Sequence, residues 1–235
     1  MATTLAAVMV EALDVRALGR FWAGALDWRL AESDESVEAR VAVQPLEPGG
    51  VGLVFVPSAR PKAGKNRMHL DLAGGSDQVG QVGRLLDLGA VRADIGQGRV
   101  PWDVLVDPEG NEFCVLPGAA DGGGPLAAVC LDAADPAGQG RFWGAAIGWS
   151  IADRGDWGVK LRSPDGTGPA LVMGPPVAPK SGANRLRPEV ALGPGDDLGA
   201  QVGRLLEAGA SRLDAGCVLA DPEGNEFHLV RQTLS

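Results

Sequence analysis

The sequence predicts an α+β protein of four β-α-β-β-β modules, arranged as two tandem copies. Three observations predict it. Four sequence blocks recur in the same order along the chain. Strand-like and helix-like periodicities follow one another identically in each copy. A Gly-rich stretch separates the two. The recurring blocks are GRFW at 19–22 and 140–143, with Trp28 matched by Trp149; KAGKNR at 62–67 and KSGANR at 180–185; QVGRLL at 81–86 and 201–206; and DPEGNEF at 107–113 and 221–227. The offset between copies falls from 121 at Gly19/Gly140 to 114 at Asp107/Asp221, as small loop deletions in the second copy require. The expected division is domain 1 over residues 1–118, a linker over 119–125 and domain 2 over 126–235.

Within the first copy, residues 5–13 read as a strand, and Asp14 is placed to cap a helix running to about Leu26, with Leu18, Phe21, Trp22 and Ala25 at helical spacing. Asp135-Pro136 gives the same start signal in the second copy. Strands are expected at 28–33, 38–45 and 51–57, and their counterparts at 149–153, 157–162 and 169–174. Arg67–Leu72 begins a second module. Its helix is expected at about 77–88, with Val79, Val82, Leu85 and Leu86 on one side; Gly89 and Gly209 are helix-ending glycines. Two strands close the module around the Asp-Pro-Glu-Gly-Asn turn.

Composition narrows the function. A net charge of −9 with scattered Lys and Arg argues against nucleic acid or an anionic membrane surface as partner. No apolar run reaches the ~20 residues of a membrane span. The N-terminal stretch carries Glu11 and Asp14 and no basic region, unlike a secretory leader. Three well-separated cysteines, Cys114, Cys130 and Cys217, suit reduced thiols, so a cytoplasmic location is expected.

The FW(A/G)xx(L/I)xW helix, the KNRMHLDL string at 65–72 and the DPEGNEF string resemble the vicinal oxygen chelate superfamily, which includes glyoxalases, bleomycin resistance proteins and dioxygenases. The likeness spans essentially the whole chain, twice, and lies nearest to its glyoxalase-like domains. It implies that two modules pair into a curved eight-stranded sheet around a cleft, with helices on the convex side. It further implies a small-molecule ligand in that cleft, often on a divalent metal.

Strand alternation then sorts the cleft-facing side chains. Grouped by copy, they are Glu11, His69, Asp71, Glu112 and Cys114, with Trp102 as a wall, and Asp132, Arg187, Glu189, Glu226 and His228. Metal-using relatives place a His in the first strand, a His in the fifth and a Glu in the last. The matching positions are Ala7, His69 and Cys114 in one copy, and Ala128, Arg187 and His228 in the other. Alanine offers no donor and arginine repels a dication, so no metal cofactor is expected. His69 and Cys114 are weak candidates should domain 1 hold a divalent ion.

Each candidate also has a plainer reading. His69 would merely bond a neighbouring carboxylate. His228 would sit in a satisfied polar network, and Arg187 would pair with Glu189 or Glu226. Cys114 would be a small hydrophobe. Asn66 and Arg67 would guide strand entry, Asp107 and Asp221 would form turns, and Phe21, Trp22, Phe142 and Trp143 would be core. The expected function is small-molecule binding without a metal, by a monomer that is an internal pseudo-dimer. The alternative is a lyase, isomerase or dioxygenase working in domain 1 with domain 2 degenerate.

Overall fold

The structure, a computed structural model, describes residues 3–32, 40–46, 50–180 and 182–231. The expected strand ends at 33 and at 38–39, and Ser181 of the repeated KSGANR block, lie outside these residues. Four modules follow one another: β1 (Thr4–Ala12), α1 (Val15–Leu26), β2 (Arg29–Glu32), β3 (Val41–Gln44) and β4 (Gly52–Pro57); β5 (Met68–Ala73), α2 (Gln78–Asp87), β6 (Val91–Arg92), β7 (Asp103–Val106) and β8 (Glu112–Leu116). The second repeat continues with β9 (Leu126–Asp132), α3 (Pro136–Ile147), β10 (Ser150–Gly155), β11 (Gly158–Arg162) and β12 (Ala170–Gly174); then β13 (Leu186–Leu192), α4 (Leu198–Glu207), β14 (Ser211–Arg212), β15 (Val218–Ala220) and β16 (Glu226–Arg231).

Each helix starts where an aspartate can satisfy amide groups left free by the first turn. The Asp14 carboxylate accepts from Arg16 N at 3.1 Å and Ala17 N at 2.9 Å, and Asp135 accepts from Gly138 N at 2.9 Å. Asp77 and Asp197 do the same for α2 and α4. Val79 departs from expectation: it is 80% exposed, and α2 buries Val82 and Leu85 instead. One turn of apolar spacing is enough for a helix that covers its sheet along a narrow line.

The strands form two mixed eight-stranded sheets, ordered β14-β15-β16-β13-β1-β4-β3-β2 and β10-β11-β12-β9-β5-β8-β7-β6. The middle of each sheet is an antiparallel pair contributed by different repeats. β1 runs against β13 with Met9 opposite Arg187, and β5 runs against β9 with His69 opposite Cys130. Each sheet therefore joins one module from each repeat, and the concave face of each sheet is shared between the repeats. The candidate side chains accordingly do not group by copy.

One continuous core runs between the sheets. α1 lies on its own sheet, while Trp22 reaches Phe113 of β8 in the other at 5.2 Å between ring centroids. Trp143 meets Phe227 of β16 in the same way at 5.3 Å. The repeated DPEGN turn ties this junction. Asp107 accepts from Trp22 Nε1 at 3.1 Å and from the backbone of Glu109 and Asn111, each at 2.9 Å. Glu109 accepts the backbone amides of Leu13 and Asp14, both at 2.9 Å, so the motif also fixes the entry to α1. The expected turn-forming role of Asp107 and Asp221 and the core role of the four aromatics both hold. Among the described residues no helix is long and apolar enough to cross a membrane.

Because β1 and β5 each lose a central neighbour when the second repeat is removed, residues 1–118 expressed alone should present two unpaired strand edges. Sedimentation should find them as a dimer or larger species; a stable monomer would contradict this topology.

Candidate functional site

The cleft of the second sheet is built on β5. Period-two alternation sends Met68, Leu70 and Leu72 into the core and turns His69 and Asp71 to the concave side. β9 brings Cys130 opposite His69 and Ala128 opposite Asp71, and β8 brings Cys114 beside Asp71. His69 Nε2 lies 3.3 Å from Asp71 Oδ1, and the Cys130 thiol donates to Asp71 Oδ2 at 3.1 Å. The imidazole is not aimed at Oδ1, which is buried without a hydrogen bond. Burial first, and the charge of Asp71 second, push both the Cys114 and the Cys130 thiols up, so both are protonated at neutral pH. That agrees with the plain reading of Cys114 as a small buried group.

Acidic residues at the rim of this cleft are held by lysines of the preceding loop. Lys65 Nζ is 2.8 Å from both oxygens of Asp132, and Lys62 Nζ is 2.7 Å from Glu112. Asn66 Nδ2 donates to Asn111 Oδ1 at 3.1 Å, consistent with its expected structural task. Above the floor lies a cavity of about 200 Å³ walled by Trp102, Trp157, Val104 and Val172, with His69, Cys114 and Cys130 among its lining. Trp102 is steadied by Gln97, which accepts its indole N–H at 3.1 Å.

The cleft of the first sheet has the opposite character. Glu11 ion-pairs with Arg187, and its second oxygen accepts from Arg60 at 2.7 Å and Ser58 at 3.0 Å. Arg187 also donates to the Asn184 carbonyl at 2.6 Å and lies 3.4 Å from His228 Nε2. Glu189 pairs with Arg40 at 2.6 Å, and Glu226 pairs with Lys180 at 2.7 Å. The partner of Arg187 is therefore Glu11, not Glu189 or Glu226, because β1 is the strand beside β13. His228 does sit in a polar network. Burial and the Arg187 cation push its pKa below the usual histidine value, which keeps it neutral.

Regrouped by space, Glu11 joins Arg187, Glu189, Glu226 and His228, while Asp132 joins His69, Asp71, Trp102, Glu112 and Cys114. Sequence reasoning passed over Cys130, Lys65 and Trp157. Cys130 has the same strand parity as the cleft-facing Asp132; the missing fact was which strand stands beside it. Trp157, at the β10–β11 turn, supplies the second aromatic wall that is absent from the position matching Trp102. The arginines of the two KNR-type strings brace the repeats to each other. Arg185 pairs with Glu109 and donates to the Arg60 carbonyl at 2.7 Å, and Arg67 donates to the Glu223 carbonyl at 3.2 Å.

The glyoxalase-like domain family matches this chain twice, over residues 7–116 and 128–230. The chain belongs to the glyoxalase-like domain family. Its fold is also that of glyoxalase I from Zea mays, with 13% of residues identical, a TM-score of 0.70, and coverage of 98% of this chain and 92% of that one. A proposed dioxygenase from Bacillus subtilis subsp. subtilis str. 168 is similar at 13% identity and a TM-score of 0.66, covering 100% of this chain and 87% of its own. No curated protein sequence matches. This glyoxalase-like chain is thus a tandem member of the vicinal oxygen chelate superfamily.

The superfamily's usual metal positions do not close in either cleft. The first offers Ala7, a paired arginine and a histidine facing that arginine. The second offers His69 and the protonated Cys114 with Ala128, which has no donor. A different group does converge there: donor atoms of His69, Asp71 and Cys130 lie within 4.8 Å of one another.

Glu11 and Arg187 are 11% and 13% exposed, so removing one partner leaves a largely buried charge. Glu11→Gln should cost about 3 kcal/mol in urea unfolding, and Arg187→Met added to it should recover part of the loss. An unchanged midpoint for Glu11→Gln would show the pair to be inert. His228 takes a proton near pH 6.5 when unfolded but resists it when folded, so its stabilising effect is complete above about pH 6.5 and is lost as pH falls toward the lowered folded value. Between pH 7.5 and 5 the Tm of the wild type should therefore fall further than that of His228→Gln.

Proposed function

We propose that this glyoxalase-like protein binds a small molecule in the cleft shared by β5–β8 and β9–β12, without a metal at the superfamily's usual position. The observation that carries this reading is the contrast between the clefts. One holds a tryptophan-walled cavity whose lining includes His69, Cys114 and Cys130, whereas in the other the Glu11 and Arg187 side chains are committed to each other. Mostly apolar walls with a few polar anchors are the usual make-up of a ligand pocket. A volume of about 200 Å³ is below the roughly 300–1,000 Å³ of drug-sized sites, so the ligand is a small metabolite. Its flat or apolar part would lie against Trp102 and Trp157, and its polar part would meet His69. The chain would act as a monomer, because each central strand already has its partner within the same polypeptide.

A second reading, a lyase, isomerase or dioxygenase reaction in the same cleft, draws on the His69–Asp71 pair. His69 faces the cavity with the Asp71 carboxylate 3.3 Å away, and a small rotation of the ring toward Oδ1 would give the hydrogen-bonded arrangement of a general base. Such a reaction would use both repeats, not domain 1 alone.

A thermal-shift screen of small metabolites in the presence of chelator tests the binder reading. Hits should raise Tm, quench tryptophan fluorescence, weaken at least about tenfold in Trp102→Ala, and be recovered chemically unchanged. Hits that ignore Trp102→Ala, or that need an added metal and keep that need in Cys130→Ser, would overturn it. Hits returned as a new compound would favour the second reading.

A further inference from the structure

We propose that His69, Asp71 and Cys130 form a binding site for a thiophilic divalent cation of the zinc type, assembled across the two repeats. The set shares only His69 with the positions used by metal-binding relatives. Its carboxylate comes two residues further along β5 and its thiol from β9, a strand of the other repeat. The proposal goes beyond the small-molecule reading and does not rest on it.

Four features support the assignment. First, one donor atom each from the imidazole, the carboxylate and the thiol lie within 4.8 Å of one another; His69 Nε2 is 3.3 Å from Asp71 Oδ1, and Cys130 Sγ is 3.1 Å from the other oxygen, Oδ2. Ligand bonds of about 2.0–2.3 Å place tetrahedral donors roughly 3.3–3.8 Å apart, so the widest separation needs to close by about 1 Å. Second, Asp71 Oδ1 is buried with no hydrogen bond, an acceptor whose desolvation is otherwise uncompensated. Third, among the described residues the only ion-pair partner of Asp71 is His69, because Lys65 is engaged by Asp132. A dication held by one carboxylate, one thiolate and a neutral imidazole leaves no net buried charge. Fourth, His69 and Cys130 line the cavity, which leaves a fourth coordination position open to a ligand or water. Sulfur and nitrogen donors select zinc-like ions over magnesium or calcium. On binding, the Cys130 S–H bond breaks, a sulfur–metal bond forms, and the proton passes to solvent.

Full-length protein stripped with chelator and titrated with Co²⁺ or Cd²⁺ tests this. The expected result is one ion per chain and a thiolate-to-metal charge-transfer absorbance. That absorbance should vanish in Cys130→Ser and persist in Cys114→Ala and Cys217→Ser. His69, on the cavity side, can be truncated without opening the core, and His69→Ala should weaken Co²⁺ binding at least about tenfold even should Cys130→Ser fold poorly. No charge-transfer absorbance in the wild type, or one that survives Cys130→Ser or depends on Cys217, would overturn the assignment. Metabolite binding in chelator is a separate measurement, so either idea can fail without the other.

Discussion

The antiparallel pairing of β1 with β13 and of β5 with β9 is the constraint on which everything else in this protein depends. These strands lie at the centre of the two sheets, and each pair takes one strand from each repeat. The pairing decides which side chains share a cleft. It also makes the tandem chain a closed unit, since every module completes its sheet with a module from the other copy. The aromatic contacts Trp22–Phe113 and Trp143–Phe227 and the arginine braces Arg67–Glu223 and Arg185–Glu109 reinforce the same crossed arrangement. Each of these residues belongs to a block that recurs in the sequence, so the duplicated motifs are the fastenings of the fold rather than its chemistry.

Two clefts of the same ancestry have diverged in charge. At matched positions one carries His69 and the other Arg187. An imidazole leaves room; a guanidinium demands an anion, and Glu11 provides it from the neighbouring strand. Once that pair is made, His228 is held uncharged beside a fixed cation, and the remaining carboxylates are occupied by Arg40 and Lys180. In the other cleft the lysines stay at the rim with Asp132 and Glu112. The floor is left to His69, Asp71 and two protonated thiols, beneath tryptophan walls. The two halves of a nearly symmetric frame therefore carry different side-chain chemistry.

Local order was legible in the sequence because it depends on neighbours a few residues apart. The aspartate caps, the two closing strands around DPEGN, and the alternation that separates Met68, Leu70 and Leu72 from His69 and Asp71 all follow from period and turn chemistry. Strand pairing was not legible. Joining β1 to β5 within a repeat, or β1 to β13 between repeats, buries the same faces, so alternation cannot choose between them. That single ambiguity put Glu11 and Asp132 in the wrong company, hid Cys130 from His69, and gave Arg187 the wrong partner. Trp157 was missed for a related reason: it has no counterpart at the matching place in the repeat, and becomes a wall only because β10–β12 join the sheet of β5.

The crossed pairing can be measured directly with the double variant Ala7→Cys, Glu189→Cys. These residues face each other on β1 and β13. Antiparallel partners lie about 4.5–5.5 Å apart at Cα, within the reach of a disulfide. Mild oxidation should yield a cross-link within one chain, seen by mass spectrometry as peptides of the two repeats joined through positions 7 and 189. If both thiols stay free under conditions that oxidise an unhindered pair, β1 and β13 are not neighbours and the shared clefts do not exist.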